Sequence, residues 1–264
     1  MNSNLNDALI INKLIEDNND FGDKITDVDD NNIYKLFKRL YVKKNIIEAD
    51  LTNLQDNFNK FIPEKFLTEI GKNSSGRINI GTSVEKFLHI MFVDISGFTK
   101  MSEELSSTNT LILLNIYFDA IVEISKKNGG YVDKFLGDGI MLVFDCKNSD
   151  SAVKTAIEIR QFMDKINLSK LRKDITVGIG IHSGKAILGT IGSRHRMDIT
   201  IIGDNVNIAS RLEDMTRRLD DWIVISKSTY DLIDKKKDFS INNLGENEIR
   251  GRESRIHLYG ISEE

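Results

Sequence analysis

The chain has 264 residues, 40% of them hydrophobic and 29% charged, with a formal net charge of -4. That length suits one domain of ordinary size plus an extension, and the mild acidity excludes an electrostatic case for binding nucleic acid. No apolar run reaches the roughly eighteen residues of a membrane span. The start, Met-Asn-Ser-Asn-Leu-Asn-Asp, has no basic stretch leading into an apolar core, so no targeting segment is expected. The single cysteine, Cys146, cannot form an internal disulfide and closes an apolar run, so it reads as a small packed hydrophobe in a cytoplasmic protein.

Residues 1–32 are rich in Asn and Asp and read as a loosely ordered segment, with one apolar patch, Leu9 to Ile15, able to turn helical. Asp17, Asn19 and Gly22 fall on calcium-loop positions, but Phe21 and Val28 stand where ligands are needed, so the match is chance. From Ile33 the spacing changes. Ile33, Phe37, Leu40, Lys44, Ile47, Leu51, Leu54, Phe58 and Phe61 recur at alternating steps of four and three, and all but Lys44 are apolar. A heptad sustained this long predicts a coiled-coil helix over 33–62 that pairs with a second chain; an amphipathic helix lying on its own domain is the other possibility. Pro63 stops that helix and can open another over Glu64 to Ile70, within a junction of residues 63–83 that ends in a Gly/Ser/Asn-rich loop.

The main domain is expected over 84–264. Lys86 to Ile95 reads as a buried strand. Thr99 to Lys127 reads as two helices broken at Ser106-Ser107-Thr108-Asn109, where a hydroxyl can cap the second. Tyr131 to Leu136 and Ile140 to Asp145 form a hairpin around Gly137-Asp138-Gly139. A helix over Ser151 to Ile166 follows, and then strands at Ile175 to Ile181 and Met197 to Ile202. Asn205 to Arg218 is a helix, Trp222 to Ile225 a strand and Lys227 to Asp234 a helix, and strands near Phe239 to Leu244 and Arg255 to Tyr259 close the chain. The pattern predicts an α+β domain, a mixed sheet covered mainly on one face by helices. Asp94 and Asp138 stand where two apolar strands run out. A hard divalent cation held between carboxylates accounts for both, whereas a turn accounts for Asp138 alone.

Four segments, Phe-Val-Asp-Ile-Ser-Gly-Phe-Thr (92–99), Asp-Lys-Phe-Leu-Gly-Asp-Gly-Ile-Met (133–141), Gly-Ile-His-Ser-Gly (180–184) and Gly-Asp-Asn-Val-Asn-Ile-Ala-Ser-Arg-Leu-Glu (203–213), resemble in order and spacing the motifs of the class III nucleotidyl cyclases. The resemblance runs from about Val84 to the end, and Phe-Ile-Pro-Glu-Lys-Phe-Leu (61–67) looks like the junction to an upstream signalling helix in bacterial-type members. It implies a ferredoxin-like core in which Asp94, the main chain of Ile95, and Asp138 hold two Mg²⁺ or Mn²⁺ ions. These acidify a ribose 3′-hydroxyl and neutralise a triphosphate. Gly97 and Phe98 open a helix whose N–H groups face phosphate, although Gly97 can equally be a plain turn.

By the same resemblance Lys134 and Thr200 read the base. The lysine, where guanylyl members carry an acidic residue, favours adenine, and the threonine stands where many members place aspartate. Asn207 orients the ribose and Arg211 stabilises the charge on the α-phosphate, four residues apart on one helix face. Arg250, or Arg252 in its place, binds the terminal phosphates. Some members carry another phosphate-binding arginine at the position of Gly178 or Ile179; this chain does not, and Lys185 is a possible substitute. The implied function is an adenylyl cyclase acting on ATP as a homodimer with each site shared between subunits, under an unknown upstream sensor. A guanylyl cyclase and a silent nucleotide-binding signalling module are the alternatives.

Overall fold

A computed structural model describes residues 30–60, 64–72, 79–165, 175–251 and 254–262. The expected turns at Leu9 to Ile15, the chance calcium-loop match, Pro63, the loop at 73–78 and Arg252 lie outside the described residues. The chain divides into two units, Met1–Phe61 and Ile62–Glu264.

The first unit contains α1 (Asp30–Asn59), a helix of 30 residues. From Lys38 to Phe58 its side chains are exposed, including the heptad residues Leu40, Ile47, Leu51, Leu54 and Phe58. At the polar heptad position Lys44 pairs with Glu48 one turn on, at 3.5 Å.

The second unit opens with α2 (Glu64–Lys72) and continues as β1 (Ser83–Ile95), α3 (Phe98–Glu104), α4 (Ser107–Lys127), β2 (Gly130–Leu136), β3 (Gly139–Phe144) and α5 (Asp150–Lys165). Then come β4 (Val177–Ser193), β5 (Arg196–Ile202), α6 (Asp204–Leu219), β6 (Ile223–Ser226), α7 (Lys227–Tyr230), β7 (Ser240–Asn247) and β8 (Ile256–Ser262). The strands form one sheet in the order β2-β3-β1-β4-β6-β8-β7, with β5 paired to the far half of β4. All pairings are antiparallel except β4 with β6.

Strand β1 lies inside the sheet, between β3 and β4, and carries apolar residues on both faces. Met91, Val93 and Ile95 pack under α3, α4 and α5, while Leu88 and Ile90 pack against Phe66 of α2, Ala186 and Leu188 of β4, and Ala209 of α6. A strand buried on both sides reads as a continuous apolar run. Helices α3, α4 and α5 cover one face, and α6 crosses the opposite side of β4.

Glycine permits that crossing. A Cβ on Gly180 would lie 2.2 Å from the Glu213 nitrogen and 2.6 Å from the Ala209 oxygen, and one on Gly178 would lie 2.5 Å from Thr216 Oγ1. Strand β4 outruns the expected Ile175 to Ile181, and Gly184 and Gly189 within it are places of close approach, to Asn205 and Ser83. The helix expected over Lys227 to Asp234 stops at Tyr230, because Leu232 and Ile233 donate to carbonyls three residues back rather than four. The break between α3 and α4 follows expectation, with Ser106 Oγ accepting from the Asn109 N–H at 3.2 Å.

Candidate active site

Strand pairing brings the two candidate metal aspartates together. Val93 of β1 pairs with Ile140 of β3, so Asp94 stands beside the Gly137-Asp138 turn that enters β3. A Cβ on Gly139 would lie 3.2 Å from Asp94 Oδ1. Burial, and then the Asp94 charge, push the Asp138 carboxyl up to about 6. Two neighbours absent from the sequence expectations complete the cluster. Arg217 Nη2 donates to Asp94 Oδ2 at 2.9 Å and lies 3.2 Å from Glu213 Oε1. Glu213 is buried, and that burial raises its carboxyl to about 8 against the pull of Arg217. Tyr117, fully buried beneath, is held well above its ordinary value by burial and by both aspartates.

This corner fits a hard cation. Two carboxylates converge, one of them already strained by the other's charge, and a guanidinium stands in as counter-charge. Among the described residues no three His, Cys, Asp or Glu side chains converge as a metal site. Two carboxylates plus a main-chain oxygen match Mg²⁺, which usually keeps waters and takes the rest of its shell from substrate phosphates. Ile95 buries its side chain in the core, so its main-chain oxygen is the group it has to offer.

The base-reading candidates also meet. Lys134 on β2 donates to Thr200 Oγ1 on β5, and Thr200 is buried. The Lys134 ammonium also lies 3.1 Å from a carboxylate oxygen of Asp133, a neighbour the sequence expectations passed over.

Helix α6 carries Asn207, which is exposed, and Arg211, which is half-buried. Its first turn is tied down by His182, whose Nε2 donates to Asn205 Oδ1 at 2.8 Å, while Asn205 Nδ2 donates to the Lys185 carbonyl at 2.7 Å. The Arg211 guanidinium lies against the loop after β7, with Nη2 3.4 Å from where a Gly251 Cβ would stand; Arg250 in that loop is exposed. The structure thus brings Arg211 and the Arg250 loop together. Gly97 caps α3 with φ 73° in the left-handed region, and Phe98 packs on the core. Ile179 is fully buried and Gly178 is pressed by α6, so neither position has room for an arginine. Lys185 is engaged with Glu85 at 2.8 Å.

Three groupings result: Asp94 with Asp138, Lys134 with Thr200, and Arg211 with the Arg250 loop. Arg217 bonds Asp94, but Asn207 lies ten residues earlier on α6, about 15 Å along the axis at 1.5 Å per residue.

Residues 83–263 match the family model described as the adenylate and guanylate cyclase catalytic domain. The chain belongs to this family. Among curated relatives of this cyclase domain, an adenylate cyclase of Anabaena cylindrica is 34% identical over 214 residues, which is 78% of this chain and 43% of the relative. The chain therefore spans less than half of that relative's length. Among solved structures, a bacterial light-regulated adenylyl cyclase superposes with a TM-score of 0.72 at 26% identity, covering 85% of this chain and 65% of that one. The adenylyl cyclase CyaB from P. aeruginosa gives 0.60 at 32% identity, covering 69% of this chain and 96% of that one. The expected fold, an α+β cyclase domain behind an N-terminal helix, is the observed one.

Proposed function

We propose that the chain is an adenylyl cyclase that converts ATP to 3′,5′-cyclic AMP and pyrophosphate at sites shared between two copies. The contact between Lys134 and Thr200 carries the choice of base. An ammonium only donates, and N1 of adenine only accepts; the threonine hydroxyl can accept from the adenine amino group. Guanine offers an N1–H to the same ammonium, and two donors then face each other. Relatives named adenylate cyclase support the same choice.

In the reaction the ribose 3′-oxygen attacks the α-phosphorus, its proton is lost, and the bond to the bridging oxygen breaks to release pyrophosphate. Asp94, Asp138 and the Ile95 carbonyl would hold two Mg²⁺ or Mn²⁺, which when bound acidify the 3′-hydroxyl and neutralise the triphosphate. Asn207 orients the ribose. Arg211, planar and permanently charged, meets the charge that grows on the α-phosphate. Arg250 takes the terminal phosphates, with the N–H groups of Gly97 and Phe98 beside them.

The separation of the metal pair from Asn207 along α6 supports a homodimer in which one copy supplies the ions and the other supplies Lys134, Thr200, Asn207 and Arg211. The exposed apolar stripe of α1 supports pairing of that helix with its copy, a route by which an upstream regulator could set the angle between the halves. No described helix is long and apolar enough to cross a membrane.

The test is turnover of the purified chain with Mn²⁺ and either ATP or GTP. Cyclic AMP from ATP, well above cyclic GTP from GTP, is expected. Preferred cyclic GTP, or ATP binding with no more turnover than an Asp94→Ala control, would sink the proposal.

A further inference from the structure

Strand geometry alone would place Asp133 and Lys134 on opposite faces of β2, because successive side chains alternate. The β2–β3 ladder runs from Val132 opposite Leu142 directly to Lys134 opposite Met141, so Asp133 is an extra, unpaired residue. Such a bulge re-aims side chains. Here it leaves both neighbours on hand for each other: the Asp133 side chain is 0% exposed, and its Oδ2 lies 3.1 Å from Lys134 Nζ.

Neither Asp133 oxygen has a hydrogen bond of good geometry among the described residues. The Ile201 main chain is close, and the nearby charge of Asp198 is repulsive. The ammonium of Lys134 is thus the countercharge that offsets burial of this carboxylate. An ammonium has three donors. One is donated to Thr200, and the Asp133 carboxylate holds the ammonium by charge at 3.1 Å, so donor capacity remains for the purine. A lysine side chain is otherwise a long flexible stem whose ordering opposes binding.

We propose that Asp133 is a positioning residue: from the β2 bulge it pins the Lys134 ammonium against Thr200, so that the base site presents one fixed donor and rejects guanine. The proposal rests on Lys134 being the base reader of the cyclase. A lysine free to swing aside would let a guanine N1–H pass, whereas a tethered one cannot.

The test uses the full chain with Mn²⁺ and compares kcat and KM for ATP and for GTP. Asp133→Asn keeps the shape and removes the charge. It is expected to raise KM for ATP by about fivefold or more, to leave kcat at saturation within about twofold, and to lower the ATP to GTP ratio of kcat/KM by about tenfold. Asp133→Ser carries the same test if the Asn variant does not fold. The double variant Asp133→Asn/Lys134→Ala should show the same ratio as Lys134→Ala alone, since the carboxylate acts through the lysine. A merely structural Asp133 would lower turnover of both nucleotides together and leave the ratio unmoved, which overturns the proposal. If Lys134→Ala itself leaves the ratio unmoved, the base-reader assignment falls and takes the proposal with it. If Lys134→Ala collapses the ratio and neither Asp133 variant moves it, only the role of Asp133 falls.

Discussion

Asp94 and Asp138 form a pair of charges that, among the described residues, Arg217 offsets, and Arg217 is itself shared with Glu213. An exposed guanidinium pair of this kind contributes about 1 kcal/mol or less, too little to keep a divalent cation out. Mn²⁺ should therefore bind the folded chain and raise its Tm with the logarithm of its concentration above Kd, because the unfolded chain has no such site. Asp94→Asn should lose that Tm rise and also lower turnover by at least about 100-fold, as removal of a group that holds the catalytic charge does. A Tm rise that persists in Asp94→Asn would place the metal elsewhere.

At this scale the sequence was informative where a residue's chemistry is odd for its setting. Two aspartates at the ends of apolar strands demanded a reason, and strand pairing does bring them together. Arg217 and Glu213 were not legible, because a charged pair four apart on a helix reads as a solvated face. The passage of α6 over the glycines of β4 buries Glu213 and leaves Arg217 beside Asp94. Asp133 escaped for a similar reason: a period-two reading has no place for the bulge that buries it.

The elements that hold the site depend on how closely α6 approaches β4. Gly180→Ala puts a methyl carbon where the α6 backbone already stands, so α6 must shift; a loss of about 1–3 kcal/mol or more is expected from such overpacking. Turnover should fall with it because Arg211 rides on the displaced helix. A Gly180→Ala chain with wild-type Tm and turnover would show that the approach is looser than described.

Helix α6 also carries a titrating group. Glu213 has an ordinary value of 4.5 and is raised to about 8 in the fold, so the folded chain binds that proton more tightly than the unfolded one. Its contribution to stability is complete below about 4.5 and is lost as pH rises through about 8. In metal-free buffer the Tm of the wild type should therefore decline between pH 6 and pH 9 more steeply than that of Glu213→Gln, which stays neutral throughout. Parallel declines would mean that Glu213 is already ionised at the lower pH.

Element boundaries were legible where the signal was local chemistry, as with the Ser106 cap and the Gly137-Asp138 turn. They were not legible where glycine serves close packing rather than a turn. His182 to Ser193 continues β4 past the expected end at Ile181, through Gly184, Gly189 and Gly192.

For the molecule as a whole, the family was legible from four motifs because they recur in order, and three of them couple a glycine turn to charged residues at fixed spacing. Coupling between α1 and the cyclase domain is not legible in this way, since a heptad states what the helix buries and not what it regulates. The stripe of Leu40, Ile47, Leu51, Leu54 and Phe58 is exposed along α1 and matches a two-stranded seam.

The central claim is that one copy's Asp94 works with the other copy's Arg211. It is tested most directly by mixing two inactive variants, Asp94→Asn and Arg211→Ala, allowing exchange, and measuring cyclic AMP from ATP. Each variant alone should be inactive. In the mixed dimer one of the two sites draws its aspartates and its arginine from unaltered surfaces, so an equal mixture should recover about a quarter of wild-type turnover. Exchange that forms the mixed dimer without any recovery of cyclic AMP would contradict the shared site.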